Sequence, residues 1–173
     1  MKILGKFVVI VLFEVITNIP CLSNDIPLPK GWRNPTNLEI KNEWRNKDIN
    51  RYLWIEADFN GDGVMDKASL LIRTNGDGLG LFAFVSQKDG TFKTFLLDEK
   101  KDINYIKVLG IAAVPPGRYV TACGKGAYDC VNTSPPEIWL KNYAIDYFKF
   151  GSANMYFYWD QTKQKFKGVG IND

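Results

Sequence analysis

The chain of 173 residues contains no histidine. That removes the commonest general base and the commonest transition-metal ligand. Ser-His-Asp hydrolysis, Cys-His proteolysis and His-ligated zinc are therefore excluded. Charge of one sign is also short: 22 Lys and Arg stand against 19 Asp and Glu, a net charge of +3, with the cations scattered among acids. Without a basic stripe, nucleic-acid binding is not expected. Cysteine occurs three times. No low-complexity segment and no composition shift divides the chain. The short apolar run Phe7-Val8-Val9-Ile10-Val11-Leu12-Phe13 is too brief to span a bilayer.

What remains is an ordinary globular balance, 46% hydrophobic and 24% charged. Its length fits one domain with a proper core. Aromatics reach 14%, a load that favours strands and packed sheets.

Residues 1–23 carry the pattern of a secretory signal peptide. Lys2 and Lys6 precede the apolar run, and Pro20-Cys21-Leu22-Ser23 follows it. Cleavage after Ser23 leaves residues 24–173 as a single β-rich domain with no transmembrane span and a net charge of 3 − 1 = +2, since Lys2, Lys6 and Glu14 depart. Two alternatives stay open: an uncleaved anchor, and a lipoprotein attached through Cys21. All three readings place the rest of the protein outside the cytoplasm, periplasmic or secreted.

Cysteine use agrees with export. Cys123 and Cys130 bracket Gly124-Lys125-Gly126-Ala127-Tyr128-Asp129. An oxidising compartment would close that segment as a disulfide loop. Two thiolates without His cannot complete a zinc shell.

The element pattern predicts an α+β fold, mostly β: a twisted antiparallel sheet, a short N-terminal helix and the disulfide loop. Thr36-Asn37-Leu38-Glu39 reads as a capping box opening a helix over 37–46, with Trp44 packed on the sheet. Beyond Asn50 the hydrophobic period changes to two. Strands are predicted over 52–59, 68–74, 79–87 and 92–98, forming a meander with turns at Asn75-Gly76-Asp77-Gly78 and Lys88-Asp89-Gly90-Thr91. Residues 102–109 fit strand or helix. Further strands are predicted over 118–122, 137–140, 144–150, 154–159 and 165–171.

The chemistry is concentrated in Asp58-Phe59-Asn60-Gly61-Asp62-Gly63-Val64-Met65-Asp66. Asp58, Asn60, Asp62 and Asp66 place side-chain oxygens at loop positions one, three, five and nine. Val64 adds a carbonyl, and glycine stands at position six. Ca²⁺ needs six to eight oxygens around one point, and such a loop supplies them. The alternative is a metal-free turn held by Asx hydrogen bonds. Position twelve is Ser69 where an EF-hand has a bidentate Glu, and the loop lies between predicted strands.

Over roughly residues 55–72 the loop resembles the Asp-rich loops of FG-GAP and VCBS-type repeats, near Asp-x-Asn-x-Asp-Gly-x-x-Asp. That resemblance implies bound Ca²⁺ in a structural role. Only one full copy is present, so a propeller or solenoid is not expected.

Other acids are weaker candidates. Glu56 and Asp98 are rival centres for a carboxylate-dependent hydrolase acting on an envelope polymer. The aromatic run from Tyr143 to Trp159 offers a sugar or protein platform if one face stays exposed. Alternation puts Tyr156 and Tyr158 on one face, Phe157 and Trp159 on the other. Core on both faces, with a helix over one, is the blander expectation. Leu28-Pro29-Lys30-Gly31-Trp32-Arg33, the Asp-rich loop and the two-Cys loop together look similar to small exported bacterial proteins. That similarity implies action by binding another protein, as periplasmic inhibitors and immunity proteins do. A structural envelope component is a third possibility.

Overall fold

The computed structural model describes residues 26–131 and 134–172. The predicted signal peptide, with Cys21 and Ser23, lies outside the described residues.

Apolar runs buried on both faces, in 66–73 and 79–86, form the centre of the first sheet. It contains β1 (Trp32–Arg33), β2 (Trp54–Ala57), β3 (Asp66–Arg73), β4 (Leu79–Ser86) and β5 (Phe92–Lys100). β1 and β2 share one edge of β3, and β4 and β5 follow on its other side, all antiparallel. Leu70 faces Leu81 and Ile72 faces Leu79 across β3 and β4. The Asn75–Gly78 turn makes this possible, with Gly76 at φ +79. A bulge beside Leu81 and Phe82 lets β5 carry one extra residue. The predicted meander is thus present as β2 to β5.

A second antiparallel sheet is ordered β11 (Lys165–Asn172), β10 (Asn154–Asp160), β9 (Ala144–Lys149), β6 (Leu109–Val114). A third consists of the hairpin pair β7 (Gly117–Val120) and β8 (Glu137–Leu140). The single sheet expected from sequence is therefore three. Alternation reveals which face a residue takes but not which strand it pairs with, so the join of β6 to β9 was not readable.

The second sheet is the middle layer. Ile111, Ile145, Tyr147 and Phe157 point to the first sheet and pack with Leu70, Ile72 and Leu81. Val114, Ala144, Val169 and Ile171 point the other way, against Ile138 and Leu140 of β8. Each fully buried Leu or Ile contributes roughly 1.5–3 kcal/mol by leaving water. Both faces of β10 are covered, as the blander reading expected. The cover over Tyr156 and Tyr158 is the β7–β8 pair, not a helix.

The predicted N-terminal helix is barely present. Its capping box forms: the Thr36 N–H donates to Glu39 Oε2 at 2.7 Å, and the Glu39 N–H donates to Thr36 Oγ1 at 3.4 Å. α1 nevertheless ends after four residues, Asn37–Ile40, because Lys41 is extended. A separate 3₁₀ turn, Glu43–Arg45, then starts on Asn42. Trp44 does not enter the core. It stacks on Phe150 at 4.8 Å and remains 46% exposed. The ambiguous residues after Asp102 form a 3₁₀ turn, Ile103–Lys107.

Arg45 explains the break. It is fully buried, and its guanidinium donates to the carbonyls of Arg51, Ile106 and Leu109 at 2.8–2.9 Å. A continuous helix would carry this side chain on a different heading. Burial lowers its pKa to about 10.

The sulfurs of Cys123 and Cys130 are 2.16 Å apart, with Cα atoms 5.1 Å apart, so the predicted pair is joined. Gly124 lets that loop close: a Cβ there would lie 2.1 Å from the Pro136 carbonyl oxygen. Among the described residues no helix is long and apolar enough to cross a membrane.

Candidate binding groove and Asp-rich loop

The Asp-rich loop connects β2 to β3 and is organised around its own amides. Asp58 Oδ1 accepts from the N–H groups of Gly61 (2.7 Å) and Asp62 (3.2 Å), and Oδ2 from Gly63 (2.9 Å). Asn60 Oδ1 accepts from the Asp62 N–H at 2.9 Å, and Asp62 Oδ1 from the Val64 N–H at 2.8 Å. Gly61 and Gly63 hold φ of +78 and +84, which the turn requires. The Asx hydrogen bonds of the metal-free reading are therefore present.

Asp66 behaves differently. It is 1% exposed, and its two oxygens accept from the N–H groups of Phe59 and Ser86, both at 2.9 Å. It pins the loop to β4. Burial pushes its carboxyl up to about 6, and the charge of Asp62 adds to the rise, while the amides of Ser86 and Phe59 oppose it.

The oxygen set suits a hard cation in chemistry. Asp58, Asp62 and Asp66 have no ion pair among the described residues, and a carboxylate has about four acceptor sites, so each keeps lone pairs beyond those bonds. Among the described residues, however, no group of three or more His, Cys, Asp or Glu side chains is gathered closely enough to hold an ion.

The loop is also braced from a distant part of the chain. Gln161 Nε2 donates to the Asn60 carbonyl, and Asn142 Nδ2 donates to the Phe59 carbonyl at 3.4 Å. Gln161 follows β10, and Asn142 lies between β8 and β9. Those segments line a groove of about 230 Å³ with Trp139, Tyr143, Tyr158, Asp160 and Lys167. Asp160 is held by Lys167 at 2.6 Å and by the N–H groups of Thr162 and Lys163, and Lys167 holds its carboxyl below the usual range.

Trp139 is 72% exposed. Its strand explains this: Ile138 and Leu140 take the inner face of β8, so Trp139 must take the outer one. The Arg118 guanidinium lies over the indole at 5.7 Å and forms a two-point pair with Glu137 at 2.6–2.7 Å. Trp139 lies outside the aromatic run from Tyr143 to Trp159 expected from sequence as a platform. The signal was an indole opposite two aliphatics in a four-residue strand.

The polar cavity on the other side of the loop, about 290 Å³, is lined by Asn60, Asp62, Gln87, Lys93 and Trp159. The buried Trp159 Nε1–H has no acceptor among the described residues.

The rival acids are not brought together. Glu56 is exposed and 3.8 Å from Lys67. Asp98 accepts from Tyr147 Oη at 2.9 Å and pairs with Lys100 at 3.0 Å. β3 and β4 separate their strands. Burial, then Asp98, pushes the Tyr147 hydroxyl well above its ordinary value. Glu56 does share a cavity of about 450 Å³ with Asp66.

Comparison with known protein families, curated proteins and solved structures finds no match to this chain.

Proposed function

We propose that this is an exported, non-catalytic binding protein that acts on another protein by surface contact, with the Asp-rich loop as a structural Ca²⁺ site. The observation that carries the reading is Trp139. A large indole left in water forgoes roughly 1.5–3 kcal/mol of burial. Here the Arg118 guanidinium, paired with Glu137, lies over the indole. Preorganised Trp and Arg are the residues that most often dominate binding energy at interfaces. Val120 and Arg118 stand on the same outer face of the β7–β8 pair, giving the anchor a neighbourhood.

Export is supported by the joined cysteines, since disulfides persist in oxidising compartments. The cation reading is supported by three carboxylates within nine residues that lack a cationic partner among the described residues. Asp58, Asn60, Asp62, the Val64 carbonyl and Asp66 would hold the ion.

The hydrolase reading names Glu56 and Asp98, but the acid that shares a cavity with Glu56 is Asp66. It needs a carboxyl free to exchange a proton with substrate. Both Asp66 oxygens are taken by backbone amides, which favours a structural role for it.

The experiment is saturable capture of a protein from envelope extract by the immobilised chain, repeated with Trp139→Ala. Loss of that capture in the variant, with an unchanged melting curve, supports the reading. Turnover of an envelope polymer by the purified protein, abolished by Glu56→Gln, sinks it.

A further inference from the structure

The groove beside Trp139 differs in kind from the hairpin's outer face. It is concave, and its 230 Å³ lies below the usual range for drug-sized ligands. Its volume suits one small ring. Its walls are aromatic, from Tyr143, which is 42% exposed, and Tyr158. Its polar groups are side-chain amides, a paired acid and Lys141, which is exposed. Asn142 and Gln161 each use an amide N–H on the Asp-rich loop, leaving further donor and acceptor capacity. Lys167 is already neutralised by Asp160.

We propose that this groove binds a single pyranose ring of a neutral saccharide. A pyranose presents a face of C–H bonds that lies flat on an aromatic ring, and a rim of hydroxyls that each donate and accept. The groove offers both halves: phenol rings for the face, and amides plus a carboxylate for the rim. An anionic ligand is a poorer fit because the Lys167 charge is spent on Asp160, whose carboxylate would face it, and Lys141 is exposed to water, where an ion pair gains little. A purely apolar protein side chain is a poorer fit because it would cover the remaining hydrogen-bonding capacity of Asn142, Gln161 and Asp160 without using it. The bracing of Asn142 and Gln161 against the Asp-rich loop fixes the hydrogen-bonding side in place before ligand arrives, which lowers the ordering cost of binding.

This ligand goes beyond the protein contact proposed above; Trp139 borders both sites, so the two are told apart through Tyr143 and Asn142, which the protein contact does not invoke. The full chain is applied to a glycan array of neutral, amino-substituted and acidic hexopyranosides, and the strongest saccharide is titrated by calorimetry. One small ring supports a dissociation constant in the millimolar range. Tyr143→Ala and Asn142→Ala should each weaken binding by roughly tenfold, while Tyr143→Phe retains it. Unchanged far-ultraviolet spectra and melting curves for these variants keep the comparison fair. Retention of no neutral hexopyranoside overturns the proposal, as does binding unmoved by both alanine substitutions. Preference for acidic sugars with loss in Lys141→Ala also overturns it. Protein capture that survives in Tyr143→Ala while saccharide binding falls supports it. Protein capture lost in Tyr143→Ala with no saccharide bound overturns it and leaves the protein-binding reading standing.

Discussion

Gly61 and Asn142 meet across 81 residues so closely that a Cβ on Gly61 would lie 2.6 Å from Asn142 Oδ1 and 2.8 Å from its Cγ. The Asp-rich loop and the β8–β9 connection are therefore one packed unit. Gly61 also holds φ +78, a conformation that costs an L-residue about 1–2 kcal/mol. Gly61→Ala is expected to destabilise the protein by about 1–3 kcal/mol and to displace Asn142. Urea melts would read the first effect, and weakened saccharide binding the second. An alanine variant as stable as the parent would show that the two segments part easily.

Arg45 carries a larger share of the fold. Replacing it with Ala leaves the carbonyls of Arg51, Ile106 and Leu109 without their donors and empties the volume against Phe150. A loss of about 3 kcal/mol or more is expected, measured by chemical denaturation. Arg45→Lys should recover little of it, because one ammonium cannot reproduce the spread of a guanidinium.

Residues within one stretch of chain were legible from sequence. The β2–β5 meander could be read because its turns are short and carry their own glycines. The cysteine pair and the capping box could be read because each lies within a few residues. The N-terminal helix was overestimated because Ile40 and Trp44 have helical spacing, yet the burial of Arg45 imposed a different turn. The groove was not legible. It draws Trp139, Asn142 and Tyr143 together with Asp160 and Gln161 and with Lys167, from three separate segments, and no local pattern encodes that meeting.

The pair Arg33–Glu39 gives the acid side of the stability profile a defined origin. Two bonds from the Arg33 guanidinium, at 2.7 and 2.9 Å, with Thr36 adding more, hold the Glu39 carboxyl down at about 2. A carboxyl lowered in the folded state stabilises fully above its ordinary value of 4.5. That contribution disappears as pH falls from there towards 2. The pair is partly solvated, with 32% and 21% of its side chains exposed, so screening limits it to about 1 kcal/mol. Glu39→Gln should lower the melting point near neutral pH and flatten its slope between pH 4.5 and 2. A variant curve parallel to the parent across that interval would assign the acid slope elsewhere.

The joined cysteines close a short loop. Chain-entropy arithmetic for such a loop gives about 2.5 kcal/mol at 25 °C. Cys123→Ser with Cys130→Ser should cost about that much, and reductant should destabilise the parent but leave the double variant unmoved. Thiol labelling of the denatured parent, with and without reductant, reports the bond directly.

Calcium should separate the two readings of the Asp-rich loop. An ion that binds the folded chain alone stabilises it by RT ln(1 + [L]/Kd), about 2.7 kcal/mol at a hundredfold excess over Kd. For a chain of this size that corresponds to roughly 5–10 °C in melting temperature. Mg²⁺ should give less, since it demands tighter octahedral geometry and sheds water reluctantly. Asp62→Ala should abolish the calcium shift, because Asp62 is exposed and its removal leaves the Asp66 clamp on Phe59 and Ser86 intact. Asp66→Asn would be uninformative on its own, since it breaks that clamp whether or not an ion is held. A midpoint indifferent to calcium in the parent would leave the loop as a turn closed by Asp58, Asn60 and Asp62 on their own amides.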